Sequence, residues 1–249
     1  MRVTATCFAL ALAAIPVAHA DCSASSGATR AHLVELYTSE GCSSCPPADR
    51  WLSTLPAASL VPLEFHVDYW DSSSWADRFA DPRFTQRQRA LAAQSKSTTV
   101  YTPEVALDGR EWRDWGSGKP PMAAASQAIG LALHVVPGQP LRVRLDATPA
   151  PGDDAAAYVA WLAVSEDKLS SAVHGGENRG ARLHHDHVVR AFVGPLKLAQ
   201  GQTTIEVPAD VQLGHASVVA FVQRVDGGEV ANVVQLPLAQ CTSAAAVAP

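Results

Sequence analysis

The chain has 249 residues, 47% apolar and 17% charged, a composition that excludes a disordered polymer. Its 16 glycines and 17 prolines show no collagen-like or low-complexity bias. A formal net charge of -5 leaves no basic footprint, so nucleic acid is not an expected partner.

At this length one large domain or two small ones fit. Arg2, the apolar run Phe8 to Ile15 and the A-x-A site Ala18-His19-Ala20 read as a secretory signal peptide over residues 1–20, with Asp21 as the mature start. The apolar run is too short to span a bilayer, and no membrane anchor is expected. Export to a periplasmic or extracellular space follows. There Cys7 leaves with the signal, and Cys22, Cys42, Cys45 and Cys241 face an oxidising compartment. Four cysteines allow three connectivities. One C-x-x-C without a second pair is a weak signal for structural zinc.

The chain then reads as follows. Leu33 to Tyr37 is an apolar strand, and Ala48 to Leu55 has helical spacing, with Trp51, Leu52 and Leu55 on one face. Leu63 to Asp68 alternates like a second strand. Asp81-Pro82 opens a polar, Arg-rich helix over 83–94, whose Arg83, Arg87 and Arg89 read as a solvated face. Glu104 to Leu107 is a third strand, closed by the hairpin dipeptide Asp108-Gly109. The Ala-rich stretch Met122 to Leu133 reads as a helix. After Pro137-Gly138-Gln139-Pro140 the pattern changes to strands at 141–145, 158–164, 187–193, 203–207, 217–225 and 229–236. Residues 166–183 read as a long Gly-rich loop. Runs of strands with turn signals predict an antiparallel sandwich.

The sharpest chemistry is Cys42-Ser43-Ser44-Cys45, placed between a strand and a helix. Orphan N–H groups and the helix dipole at such a turn lower a thiol's pKa. Pro103, just before the third strand, would present backbone to an extended peptide beside the dithiol, and Thr102 precedes it.

Leu36 to Asp49, Phe65 to Asp71 and Tyr101-Thr102-Pro103 resemble the DUF1223 family of exported, thioredoxin-like proteins, as do Glu177-Asn178-Arg179-Gly180 and His187-Val188-Val189-Arg190. The resemblance implies a thioredoxin-like fold with Cys42 and Cys45 as the dithiol and Pro103 as a cis proline. It implies no established reaction. The fold class expected is α+β: a thioredoxin-like α/β domain over 21–137, a β-sandwich-like domain over 138–241, and a disordered tail over 242–249. Gly41 stands where thioredoxins carry Trp, and Pro46-Pro47 follow Cys45 directly, which moves the helix start. Cys42 is the expected nucleophile, since the first cysteine of such a pair is usually the more accessible; a later helix start would favour Cys45 instead as the thiol nearest the helix end.

Each candidate has a structural reading beside the functional one. Asp68, near the end of the second strand, relays protons or caps a loop. Glu35 is a buried carboxylate under the dithiol with a raised pKa, or it faces solvent. His66 reads as a satisfied core histidine. In His184-His185-Asp186-His187, the imidazoles of His185 and His187 share a strand face and are weak metal candidates, to be completed by His174 or His215. No cofactor is expected. If Cys42 pairs with Cys45, then Cys22 and Cys241 remain and form a structural disulfide joining the mature ends. Two functions stay open: a thiol–disulfide oxidoreductase acting on protein or small-molecule thiols and recycled by a redox partner, or a non-catalytic binding module with a static Cys42–Cys45 bridge.

Overall fold

The computed structural model describes residues 22–27, 29–56, 59–117, 120, 129–198, 201–226 and 228–243. The elements begin with β1 (Cys22–Ser25), β2 (His32–Thr38), α1 (Pro46–Leu52), β3 (Leu60–His66), α2 (Pro82–Gln94), β4 (Glu104–Leu107) and β5 (Arg110–Glu111). There follow β6 (Ile129–Val136), β7 (Leu141–Pro149), β8 (Tyr158–Glu166), β9 (Leu169–Ala172), β10 (Arg182–His185) and β11 (Val188–Lys197). The chain closes with β12 (Gln202–Ile205), β13 (Ala216–Arg224), β14 (Val230–Pro237) and a short α3 (Ala239–Ser243). The class is mixed α+β, dominated by strands.

The main sheet has the order β14-β13-β8-β11-β3-β2-β4-β5. Its parallel pairs are β2 with β3 and β11 with β3; the other neighbours are antiparallel. β2 and β3 are buried at every position, as expected of near-continuous apolar runs covered on both faces. One face carries α1, which packs Ala48 and Leu52 against Val34, Leu36, Val105 and Trp112. The other carries α2, whose Phe84 meets Phe65 and Phe192 edge-on. Asp81 caps α2 by accepting from the Arg83 N–H at 2.8 Å, and Pro82 starts the helix.

The second sheet, β1-β6-β7-β12, lies against the β8, β13 and β14 end of the first. Ile129, Leu131, Leu133 and Val135 from β6 interdigitate there with Leu162, Val164, Val218 and Ala220. Strands from both sides of residues 137–140 thus share the main sheet, and β3 is hydrogen-bonded directly to β11. The Cys22–Cys241 disulfide forms as expected, with Cα atoms 5.2 Å apart, and ties β1 to α3.

Three expectations are corrected. The helix expected over 122–133 is strand β6 from Ile129 on, and its 122–128 portion lies outside the described residues. The bulky residues there recur at every second position, and that period outweighs the alanine content. The expected loop over 166–183 contains most of a hairpin, β9 with β10. Arg87 is not solvated: it is 7% exposed, and its guanidinium sits 2.6 Å from Glu35. The rings of Phe221, Trp161, Phe192 and Phe65 surround it at 4.9 to 5.9 Å. The Asp108-Gly109 turn does join β4 to β5, with φ of +50° and +79°. Residues 1–20 and 244–249 of the expected signal and tail lie outside the described residues, and residues 242 and 243 continue α3.

Candidate functional site

β2 ends at Thr38, and a tight loop carries the chain to Cys45, the N-cap of α1. Within it Cys42 N–H donates to Ser39 O (3.1 Å) and Cys45 N–H to Cys42 O (3.2 Å). Cys42 and Cys45 are joined as a disulfide with Cα atoms 5.5 Å apart. The helix end differs from expectation. Pro46 and Pro47 lack N–H groups, and the N–H groups of Ala48 and Asp49 both donate to Cys45 O at 2.8 and 3.1 Å. The first turn therefore has no orphan donor for a thiolate. The Ser44 hydroxyl lies 3.4 Å from Cys42 Sγ.

Both cysteines are 0% exposed, although Ser43 and Ser44 between them are open. The cover comes from the β9–β10 connection. Asn178 Nδ2 donates to Glu40 O (2.9 Å) and to Cys42 O (2.8 Å). Glu177 accepts from Ser43 N–H (3.0 Å) and from its hydroxyl (2.7 Å). Gly175 and Gly176 allow this approach. A Cβ on Gly175 would stand 2.0 Å from Ser74 O, and Gly176 has φ +68° and lies against Gly41. Trp70 packs its Cβ against Gly41, and its Nε1 donates to Thr102 Oγ1 at 2.7 Å. The Thr102–Pro103 peptide is cis, and Pro103 precedes the β4 residue paired with Tyr37 near the end of β2. Cys42, Cys45, Thr102 and Pro103 thus converge on one end of the main sheet.

Behind the loop lies a buried polar cluster: Glu40, Asp49, Glu64, Asp77, His66 and His185, all under 5% exposed. Glu64 Oε1 stands 2.8 Å from both His66 Nε2 and His185 Nδ1. Asp77 Oδ2 meets His66 Nδ1 at 2.6 Å and accepts from the Glu40 N–H at 2.9 Å. Thr38 Oγ1 donates to Asp49 at 2.7 Å. Burial alone would neutralise His66, but the Asp77 and Glu64 carboxylates overcome it and hold the imidazole well above its usual range. His185 is likewise desolvated, yet attraction to Glu40 and Glu64 raises it to about 9. Burial is also outweighed at Asp77, which its His66 partner holds at about 2. At Glu64 the two imidazoles win over burial and lower the pKa. Asp49 is the exception: burial, reinforced by the charge of Glu64, pushes it to about 7.

The remaining candidates separate from this site. Glu35 is buried, but it pairs with Arg87 and accepts from the Tyr37 hydroxyl at 3.0 Å, so it is no free acid under the dithiol. Asp68 accepts from Thr85 Oγ1 at 2.5 Å, a side-chain tie to α2. β10 ends at His185, and His187 adopts φ +63° beside Asp167, so the two histidines share no strand face. His66 is a core histidine whose partners are carboxylates. Sequence reasoning missed Glu40, Asp49, Glu64 and Asp77 as members of a site. The one local signal was Glu64-Phe65-His66, two polar residues on one face of an otherwise apolar strand.

Two solved structures resemble this fold. Protein AGR_C_4864 from Agrobacterium tumefaciens is 20% identical, with TM-score 0.57 over 85% of this chain and 96% of that one. HBP35 of Porphyromonas gingivalis is 14% identical, with TM-score 0.58 over 85% of this chain and 76% of that one. Both likenesses concern the fold alone. No curated protein matches the chain significantly. Among the described residues no helix is long and apolar enough to cross a membrane. The family described as "Protein of unknown function (DUF1223)" matches residues 33–223, which include the cysteine loop, the buried cluster and the covering connection, and the chain belongs to that family.

Proposed function

We propose that this protein is an exported thiol–disulfide oxidoreductase, with a thioredoxin-like first half and Cys42–Cys45 as its redox pair. The observation that carries the reading is the disulfide on a two-residue spacer between β2 and α1, with a hydroxyl at Cys42 Sγ. A client thiolate attacks Cys42 Sγ, the bond to Cys45 breaks, and Cys45 leaves as a thiolate. A second client thiolate then attacks the client sulfur of the mixed disulfide. The client becomes a disulfide, Cys42 leaves as a thiolate, and two electrons reside in the pair. The reverse sequence reduces a client disulfide. A redox partner of the same chemistry recycles the pair. The Ser44 hydroxyl donates to the Cys42 thiolate in place of the helix donors that the two prolines remove. Export is supported by two disulfides, which persist in oxidising compartments.

The test is a Cys45→Ser protein returned to its exported compartment. It is expected to accumulate mixed disulfides through Cys42. If neither single cysteine variant traps a client, and the purified dithiol exchanges no faster than a free thiol, the reading is wrong.

A second reading, a static bridge in a non-catalytic module, is favoured by the full burial of both cysteines. The reduction potential separates the two. A structural bond lies below about −300 mV, and an exchanging pair lies well above that.

A further inference from the structure

We infer that Glu64, His66 and His185 form a binding site for a divalent cation of the zinc class. The inference is independent of disulfide exchange.

The placement comes from the sheet. Glu64 and His66 are two apart on β3 and project from the same face. β11 pairs beside β3 in parallel, Val188 opposite Glu64, and the Glu64 N–H donates to His187 O at 2.8 Å. That pairing delivers His185, the last residue of β10, to the same point. One ligand atom from each residue lies within 4.8 Å of the others. Ligands bonded to zinc at about 2.1 Å stand about 3.4 Å apart in tetrahedral geometry. The present 2.8 Å spacings from Glu64 Oε1 to the two nitrogens need only a modest opening.

The surroundings match a metal centre more closely than a simple hydrogen-bond knot. Each imidazole has a second carboxylate at its far nitrogen. Asp77 stands 2.6 Å from His66 Nδ1, and Glu40 stands 3.5 Å from His185 Nε2. Such carboxylates orient histidine ligands and raise their basicity. Asp77 is itself fixed by the N–H groups of Glu40 and Phe79, at 2.9 and 3.0 Å.

The polar accounting also points to a missing partner. Glu64 Oε2 and Glu40 Oε2 are buried without a hydrogen bond, and Glu40 Oε1 and His185 Nε2 face each other only at the long distance of 3.5 Å. Unsatisfied buried polar atoms are costly. The donor set, two imidazoles with carboxylate, suits zinc and similar cations rather than calcium or magnesium.

The test uses the mature, tag-free protein stripped with chelator and titrated calorimetrically with zinc chloride. One zinc per chain with Kd below about 1 µM is expected. Crystals grown with zinc should show one anomalous peak at the zinc edge, within bonding distance of Glu64, His66 Nε2 and His185 Nδ1. Glu64→Gln and His185→Gln should each weaken binding at least tenfold, with circular dichroism reporting the fold. A Cys42→Ser/Cys45→Ser protein should bind as the parent does, which separates this site from the redox pair. Absence of binding below about 100 µM, or an anomalous peak elsewhere, overturns the inference. So does unchanged affinity in folded Glu64→Gln. Should the variants misfold, the peak position in the parent protein decides alone.

Discussion

The cover over the disulfide predicts that Asn178→Ala accelerates reduction of Cys42–Cys45. Both cysteines are 0% exposed, so a reducing thiol can attack only after the β9–β10 connection lifts. When reclosing outruns attack, the observed rate follows the open population. Asn178 Nδ2 makes two hydrogen bonds across the gap, to Glu40 O and Cys42 O. Each contributes about 0.5–1.5 kcal/mol net, so the pair holds the cover by about 1–3 kcal/mol. Cys42 O keeps its bond from Cys45 N–H after the substitution, which favours the lower half of that range. At about 1.4 kcal/mol per factor of ten, the expected acceleration is roughly tenfold, within limits of about 5- and 150-fold. The assay is pseudo-first-order reduction by dithiothreitol, quenched by alkylation and read by mass spectrometry. Cys22–Cys241 serves as the internal control. An unchanged rate at Cys42–Cys45 refutes the reasoning. Equal acceleration at both disulfides also refutes it, because that reports global unfolding rather than lifting of the cover.

Removing the terminal bridge with Cys22→Ser/Cys241→Ser opens a loop of 219 residues' separation, for which the chain-entropy model gives about 5 kcal/mol; urea unfolding should show a loss up to that size. Arg87→Met strands the buried Glu35 carboxylate and should destabilise by about 3–5 kcal/mol, whereas a loss below 1 kcal/mol would show that the aromatic surround, not the ion pair, sets the position. Glu104 is raised to about 7, chiefly by burial, so the folded state holds its proton after the unfolded state has lost it. Its contribution to stability is therefore full below about pH 4.5 and declines as pH rises to about 7. Glu104→Gln should flatten that decline relative to the parent in denaturation series between pH 4.5 and 7.5; parallel curves would contradict the assignment.

Periodicity and turn chemistry were enough to read much of this protein from its residues. β2, α2, β4 and its Asp108-Gly109 turn, and most strands after residue 140, are local patterns that the tertiary structure leaves in place. The Cys22–Cys241 pairing followed from elimination once Cys42-Ser43-Ser44-Cys45 was taken as a unit. What failed was a local period masked by alanine content at β6 and, at Arg87, a neighbour distant in sequence. β6 became a strand because its alternate bulky residues fill the space between two sheets. Arg87 left the solvated face of α2 because Glu35, fifty-two residues away, lies beneath it. The helix end at Cys45 was legible as a turn, but its lost donors depend on how Ala48 and Asp49 bond back to Cys45 O.

The chain alone determined that a C-x-x-C pair sits between a strand and a helix, because both flanking elements carry their own periodicity. Only the tertiary structure decided that this pair is covered, and that two imidazoles and four carboxylates lie behind it. The physical reason is the parallel pairing of β11 beside β3. It joins Glu64 and His66 to His185 across more than a hundred residues and lays Glu177 and Asn178 over Cys42. A carboxylate or imidazole in a strand has the same local signature whether it meets water or a buried partner, and the sheet alone chooses between them.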